Sequence, residues 1–242
     1  MNITVEIKRY NPEKDEQPRM QEYEVEAEPT DRVLDLLMEI KRTRDGTLAF
    51  RKSCAHGVCG SDAMVINGRA RLACKTLVQD VTADKPRITL EPLEHLPVQR
   101  DLMVDQQGFF EKYRLVSPFL VAKEEVPEAG EYIQSLKERA AFDDPTKCIL
   151  CSACYSACPV LDKNAKFIGP AACVQAARFT KDSRDEGLLP RLPVLDAPEG
   201  VWACENHFEC TKACPRGIKV TKLINETKRA ITSYKESEDG AS

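Results

Sequence analysis

Eleven cysteines in a chain of 242 residues fall into groups whose spacing could bind iron and sulfide. The first group is Cys54-Ala-His-Gly-Val-Cys59-Gly-Ser-Asp62, followed by Cys74. This is the C-x4-C-x2-C...C ligand spacing of a plant-type [2Fe-2S] site, with aspartate in the third position. A carboxylate oxygen can bind iron, so Asp62 is a candidate fourth ligand, harder than a thiolate. Gly57 and Gly60 allow the short loop to turn its backbone N–H groups toward sulfur, where bulkier residues would obstruct them. The competing reading is a zinc site built from the same four residues. Zinc ligands generally pair as C-x2-C, whereas this loop runs x4 and then x2. His56 reads as a loop residue.

The second group opens with Cys148-x2-Cys151-x2-Cys154-x3-Cys158-Pro159, the run of bacterial two-cluster ferredoxins, in which three cysteines hold one cluster and the fourth reaches the other. Fifty-six residues further on stands Cys204-x2-His207-x2-Cys210-x3-Cys214-Pro215, an internal repeat with histidine in place of the second cysteine. By the crossing rule Cys148, Cys151, Cys154 and Cys214 supply four thiolates, which makes a [4Fe-4S] cluster. Cys158, Cys204 and Cys210 supply three, and the expected cluster is [3Fe-4S], short of one iron where one cysteine is missing. The alternative is that His207 binds a fourth iron through an imidazole nitrogen. Iron is the only metal these ligand sets require. Cys173, within Ala171-Ala172-Cys173-Val174-Gln175-Ala176, belongs to neither run and reads as a small buried hydrophobe.

The elements that must carry these loops divide the chain into an α+β half and a mostly helical half. Ile3 to Tyr10 alternates apolar and polar residues and ends at Asn11-Pro12, and Tyr23 to Ala27 suggests an antiparallel partner. Pro29-Thr30-Asp31 offers an N-cap for a helix over Val33–Arg42, where Val33, Leu36, Leu37 and Ile40 form one apolar stripe. A strand at Ala63–Ile66 meets the hairpin signal Asn67-Gly68, and Arg87–Glu91 closes the half. After Pro97 the spacing turns helical, as in Tyr132–Lys137. The expected domains are residues 1–100 and 101–235, with 236–242, where Ala241 is the one apolar residue, as a disordered tail. With 35 basic residues against 39 acidic and a net charge of -4, nothing points to a nucleic-acid partner. Met1–Glu6 lacks the form of a signal peptide, so the cysteines are expected in a reducing compartment as ligands and not as disulfides. The longest uncharged run, Cys148–Leu161, is shorter than the ~18 residues that span a bilayer.

One plant-type site followed by one two-cluster repeat resembles the iron-sulfur subunit of succinate dehydrogenase and fumarate reductase. The resemblance is carried by Arg51-Lys52-Ser53-Cys54, Gly57 to Asp62, Leu96-Pro97-Val98, Arg100-Asp101-Leu102, Cys148-Ile149-Leu150-Cys151 and Lys166-Phe167-Ile168-Gly169-Pro170. It implies a β-grasp-like plant-type ferredoxin domain followed by a bacterial-ferredoxin-like helical domain. It also implies the same three clusters, the [3Fe-4S] nearest a quinone, with electrons entering from the FAD of a flavoprotein subunit at the [2Fe-2S] half. Family members carry cysteine or aspartate at the position of Asp62 and a non-cysteine at that of His207. Further partners implied are membrane anchor subunits, with or without haem b. The chain is then peripheral, on the cytoplasmic face of a bacterial or archaeal inner or cell membrane.

Dicarboxylate chemistry and the covalent flavin belong, in that family, to another chain. No catalytic residue is therefore expected here, and there is no G-x-G-x-x-G fingerprint for a dinucleotide. Of the positions that form the family's quinone pocket, Pro159 and Lys228 match. The stretch Val160–Ala165 lacks the tryptophan often found there, and Glu205 stands where histidine is frequent. Seven basic residues against Glu226 alone between Lys212 and Lys235 read either as a face toward anionic lipid or membrane subunits, or as a solvated helix face. Fumarate reduction in the reverse direction, a diffusible multi-cluster ferredoxin and a redox-silent zinc scaffold are the rival functions.

Overall fold

In the computed structural model, which describes residues 1–122, 127, 128 and 130–239, the chain divides into two compact units. The first is Met1–Gly108 with Ile149–Ala157, and the second is Phe109–Cys148 with Cys158–Ser242. The sequence boundary at residue 100 falls inside the first.

Five strands of the first unit, β1 (Asn2–Arg9), β2 (Arg19–Glu26), β3 (Ala63–Ile66), β4 (Arg69–Leu72) and β5 (Arg87–Glu91), form one mixed sheet in the order β2-β1-β5-β3-β4. Alternation in β1 buries Ile3, Val5 and Ile7 on one face. β2 pairs antiparallel with β1, and β5 lies parallel to it, with Val5 beside Ile88 and Ile7 beside Leu90. The helix Val33–Thr43 buries Val33, Leu36, Leu37 and Ile40, as its stripe requires. Asn67 and Gly68, with φ 48° and 72°, make the two-residue turn between β3 and β4, a type I′ geometry that favours these residues. This is the β-grasp-like arrangement of one helix with a mixed sheet.

A buried knot fixes the approach to the cysteine loop. Asp101, itself at φ 47°, accepts from Arg9 Nε at 3.0 Å, Tyr10 N–H at 3.0 Å and Ala49 N–H at 2.8 Å. Arg9 also reaches Asp45, Tyr23 and Thr47. Burial disfavours ionised Asp45, but hydrogen bonds from Thr47, Arg9 and Tyr23 outweigh it and hold its carboxyl well below the usual range. The segment just before Cys54 is thus tied to both ends of the sheet domain.

The second unit packs the helix Pro170–Thr180 against Val220–Asp239. Small residues, Ala171, Ala172, Cys173, Ala176 and Ala177, are buried on the first and let Leu223, Ile224 and Ile231 of the second approach. Lys181 and Glu226 bridge the two at 2.6 Å.

Four local expectations need correction. Asp31 does not cap the first helix: Arg32 holds that position, and Asp35 reaches back to its N–H at 3.0 Å while Asp31 accepts from Glu28 N–H. Strand pairing of Val98–Arg100 with Met103–Val104 follows Pro97, where helical spacing was expected. Tyr132–Gln134 lie outside any helix, because Ser135 and Glu138 form a capping box that starts the helix at Leu136. The last helix runs through Asp239, so 236–239 are not a tail, and 240–242 lie outside the described residues. Absence of apolar residues denies a segment a core, but a helix already anchored by packing extends at little cost per residue.

Candidate iron-sulfur sites

Cys54 occupies a concave loop whose backbone donors point at its sulfur. The N–H groups of His56, Val58 and Cys59 lie 3.5, 3.4 and 3.3 Å from Cys54 Sγ, and Cys54 N–H lies 3.5 Å from Cys59 Sγ. Positive φ at Ala55, Gly57 and Gly60 turns these amides inward. The N–H groups of His56 and Cys59 lower the Cys54 thiol to about 6, which is what a loop built for negative sulfur should do. Ser61 Oγ is 3.2 Å from Cys59 Sγ.

Asp62 supplies the strongest test of fit. The residue is buried, and its Oδ2 accepts from Cys74 N–H, but its buried Oδ1 has no hydrogen-bond partner. An orphaned buried carboxylate oxygen costs about 1–3 kcal/mol, and an iron ligated there would satisfy it. Cys74 is pushed up to about 12, by burial first and then by the Asp62 carboxylate, so it ionises only against a strong cation. Among the described residues no three His, Cys, Asp or Glu side chains converge tightly enough to hold a single metal ion.

Gly60 touches the other cysteine run. A Cβ at Gly60 would lie 2.6 Å from Cys151 Cβ, at a φ of 70° that already favours glycine. Gly60→Ala should therefore cost about 2–4 kcal/mol in strain and overpacking and displace the loop. The expected result is a fall of more than half in [2Fe-2S] occupancy by iron content and visible absorbance. Full occupancy at unchanged stability would contradict it.

The internal repeat is written in the backbone as well as in the cysteines. Leu150 and Ser152, with φ 52° and 64°, flank Cys151, and Asn206 and Phe208, with φ 61° and 65°, flank His207. Each pair is followed by a short helix, Ala153–Ser156 and Glu209–Ala213. His207 thus occupies the backbone site of a cysteine.

Cys158, Cys204 and Cys210 line one open cavity together with Pro159, His207 and Thr221. Burial pushes the Cys158 thiol up to about 11 and raises that of Cys210, so both need a cation to become ligands. His207 Nε2 is 2.8 Å from Glu205 Oε2. Lys228 Nζ donates to the Cys204 carbonyl at 2.9 Å and stands over the Trp202 ring, so it braces a loop that carries a candidate ligand. Of the basic run, Lys212, Lys222 and Lys235 pair with Glu209, Glu226 and Asp196. Cys173 is fully buried in its helix. Cys148, Cys154 and Cys214 are half-buried, and Cys151 is buried.

Residues 4–111 match a 2Fe-2S iron-sulfur cluster binding domain, and residues 144–218 match a 4Fe-4S dicluster domain. The chain is 44% identical over 233 residues to a fumarate reductase iron-sulfur subunit of Mycobacterium tuberculosis, covering 96% of this chain and 94% of that one. It is 38% identical over 237 residues to a succinate dehydrogenase iron-sulfur subunit of Coxiella burnetii, covering 97% and 99%. The chain belongs to the succinate dehydrogenase and fumarate reductase iron-sulfur subunit family. The Mycobacterium smegmatis Sdh1 complex in the apo form contains a chain that superposes with a TM-score of 0.87 at 27% identity, 97% of each being covered. As a member of this family the chain is an electron-transfer subunit of an oxidoreductase, with a plant-type ferredoxin domain preceding a dicluster domain. Among the described residues no helix is long and apolar enough to cross a membrane.

Sequence reasoning did not single out Ser61 or Thr221, whose hydroxyls meet the sulfurs of Cys59 and Cys210. Ser61 could have been found, since it lies between two ligand positions. Thr221 sits eleven residues beyond Cys210 with no motif to mark it.

Proposed function

We propose that this chain relays electrons from the FAD of a flavoprotein subunit to a membrane quinone. Bound [2Fe-2S], [4Fe-4S] and [3Fe-4S] clusters supply one-electron carriers. Cys54, Cys59, Asp62 and Cys74 hold the first, Cys148, Cys151, Cys154 and Cys214 the second, and Cys158, Cys204 and Cys210 the third. The middle set rests on the ferredoxin spacing alone. One observation carries the reading of the third: three cysteines share a cavity in which the histidine at the fourth position pairs with Glu205. The chain's own work is to hold these groups apart from water and from each other at fixed places, and no side chain is assigned acid-base chemistry on a dicarboxylate. Pro159, in the wall of that cavity, and Lys228, behind Cys204, are the residues assigned to the quinone. Membrane anchor subunits, with or without haem b, hold the chain on the cytoplasmic face of the membrane. The two relatives carry the names of opposite directions, so succinate oxidation is the forward reading and fumarate reduction its reverse.

The purified chain alone should contain iron and acid-labile sulfide and should not oxidise succinate, whereas the complex retaining its flavoprotein should. Succinate oxidation by the chain alone, or zinc in place of iron, would overturn the proposal. A cluster-loaded chain that never sediments with membranes from gently broken cells would favour the diffusible ferredoxin instead.

A further inference from the structure

Resting on the assignment of a cluster to Cys158, Cys204 and Cys210, we propose that Thr221 is a positioning residue that donates a hydrogen bond to the Cys210 sulfur and raises the reduction potential of the cluster held there. Thr221 is the second residue of the helix Val220–Asp239 and is 1% exposed. Its Oγ1 lies 3.5 Å from Cys210 Sγ and 3.0 Å from Thr211 Oγ1, and its N–H donates to Thr211 Oγ1 at 3.0 Å.

Ligation decides the direction of these bonds. A cysteine bound to iron is a thiolate and has no proton, so between Cys210 and Thr221 only the threonine hydroxyl can donate. The hydroxyl oxygen of Thr221 is then free to accept from Thr211 O–H, whose own oxygen takes the Thr221 N–H. The chain of donors ends on sulfur. In a buried site such bonds polarise one another. A donor aimed at a ligand sulfur withdraws charge from it, which favours the more negative, reduced state. Both threonines lie outside the ligand positions, one on the short helix that carries Cys210 and one on the long helix packed behind it.

The test uses the cluster-loaded protein with whatever subunits co-purify, titrated electrochemically while the paramagnetic signal of the oxidised [3Fe-4S] cluster is followed. Thr221→Val keeps the shape and removes the donor. The reduced-to-oxidised ratio at fixed potential should fall about tenfold, roughly 59 mV for a one-electron couple. Thr221→Ser keeps the hydroxyl and should restore the wild-type midpoint. A Thr221→Val protein with full signal and unchanged midpoint overturns the proposal, as does a Thr221→Ser protein shifted as far as the valine variant. Should Thr221→Val lose the signal, Thr221→Ala replaces it. Loss in both, with serine intact, makes the hydroxyl a condition of holding the cluster and overturns its role in setting the potential. Absence of a [3Fe-4S] signal from the wild-type protein defeats the cluster assignment itself, a result separate from all of these.

Discussion

A chain carrying His207→Cys should hold a fourth iron in the cavity of Cys158, Cys204 and Cys210. The backbone there repeats that of Cys151, with left-handed residues on either side at matching positions, so a cysteine at 207 needs no new loop conformation. The native side chain lines the cavity but pairs with Glu205 at 2.8 Å, an ion-pair geometry that Lys163 at 3.9 Å extends. A fourth thiolate adds negative charge beside the cluster and disfavours accepting an electron, so the reduction potential should drop and onward electron transfer should slow. The measurements are iron content, which rises by one per chain, and electron paramagnetic resonance, in which the signal of the oxidised protein gives way to one seen on reduction. If the wild-type protein already shows two [4Fe-4S] clusters, His207 is a ligand and the repeat has been misread.

Arg191→Leu should destabilise the second unit by about 3–5 kcal/mol. The arginine is fully buried, and its partner Asp185 has a side chain with no exposure. Its Nη1 meets Asp185 Oδ1 at 2.7 Å, its Nη2 meets the Phe119 carbonyl at 2.6 Å, and its Nε meets that of Val116 at 3.0 Å. Leucine fills part of the volume and answers none of these acceptors. It leaves a buried carboxylate without its counter-charge and carbonyls without donors, which is where the energy is lost. Denaturant unfolding of the cluster-loaded protein, read by the signal of the second unit's cluster, checks it. A change under about 1 kcal/mol would mean that water or a rearranged side chain replaces the guanidinium. Arg191→Lys keeps the charge but not the fork and should recover only part of the loss.

The repeated backbone of the cysteine loops was legible in the sequence because it is local. Spacing of cysteines along a short loop sets which sulfurs can face one cluster, and a repeat at constant offset implies a repeated backbone, which the φ angles at 150, 152, 206 and 208 reproduce. The alternation of β1, the stripe of the first helix and the Asn67-Gly68 turn are equally local, each a consequence of residue types within a few positions. What only the tertiary structure decided depends on segments far apart in the chain. Nothing in Thr4 or Arg87 says that they become neighbours in a parallel pair. Asp101 serves Arg9, Tyr10 and Ala49 at once, and Arg191 gathers carbonyls from more than seventy residues away. The orphaned oxygen of Asp62 and the hydroxyl of Thr221 on Cys210 are of the same kind. A buried polar group must find its partner wherever folding brings one, and a sequence records the group but not the distance.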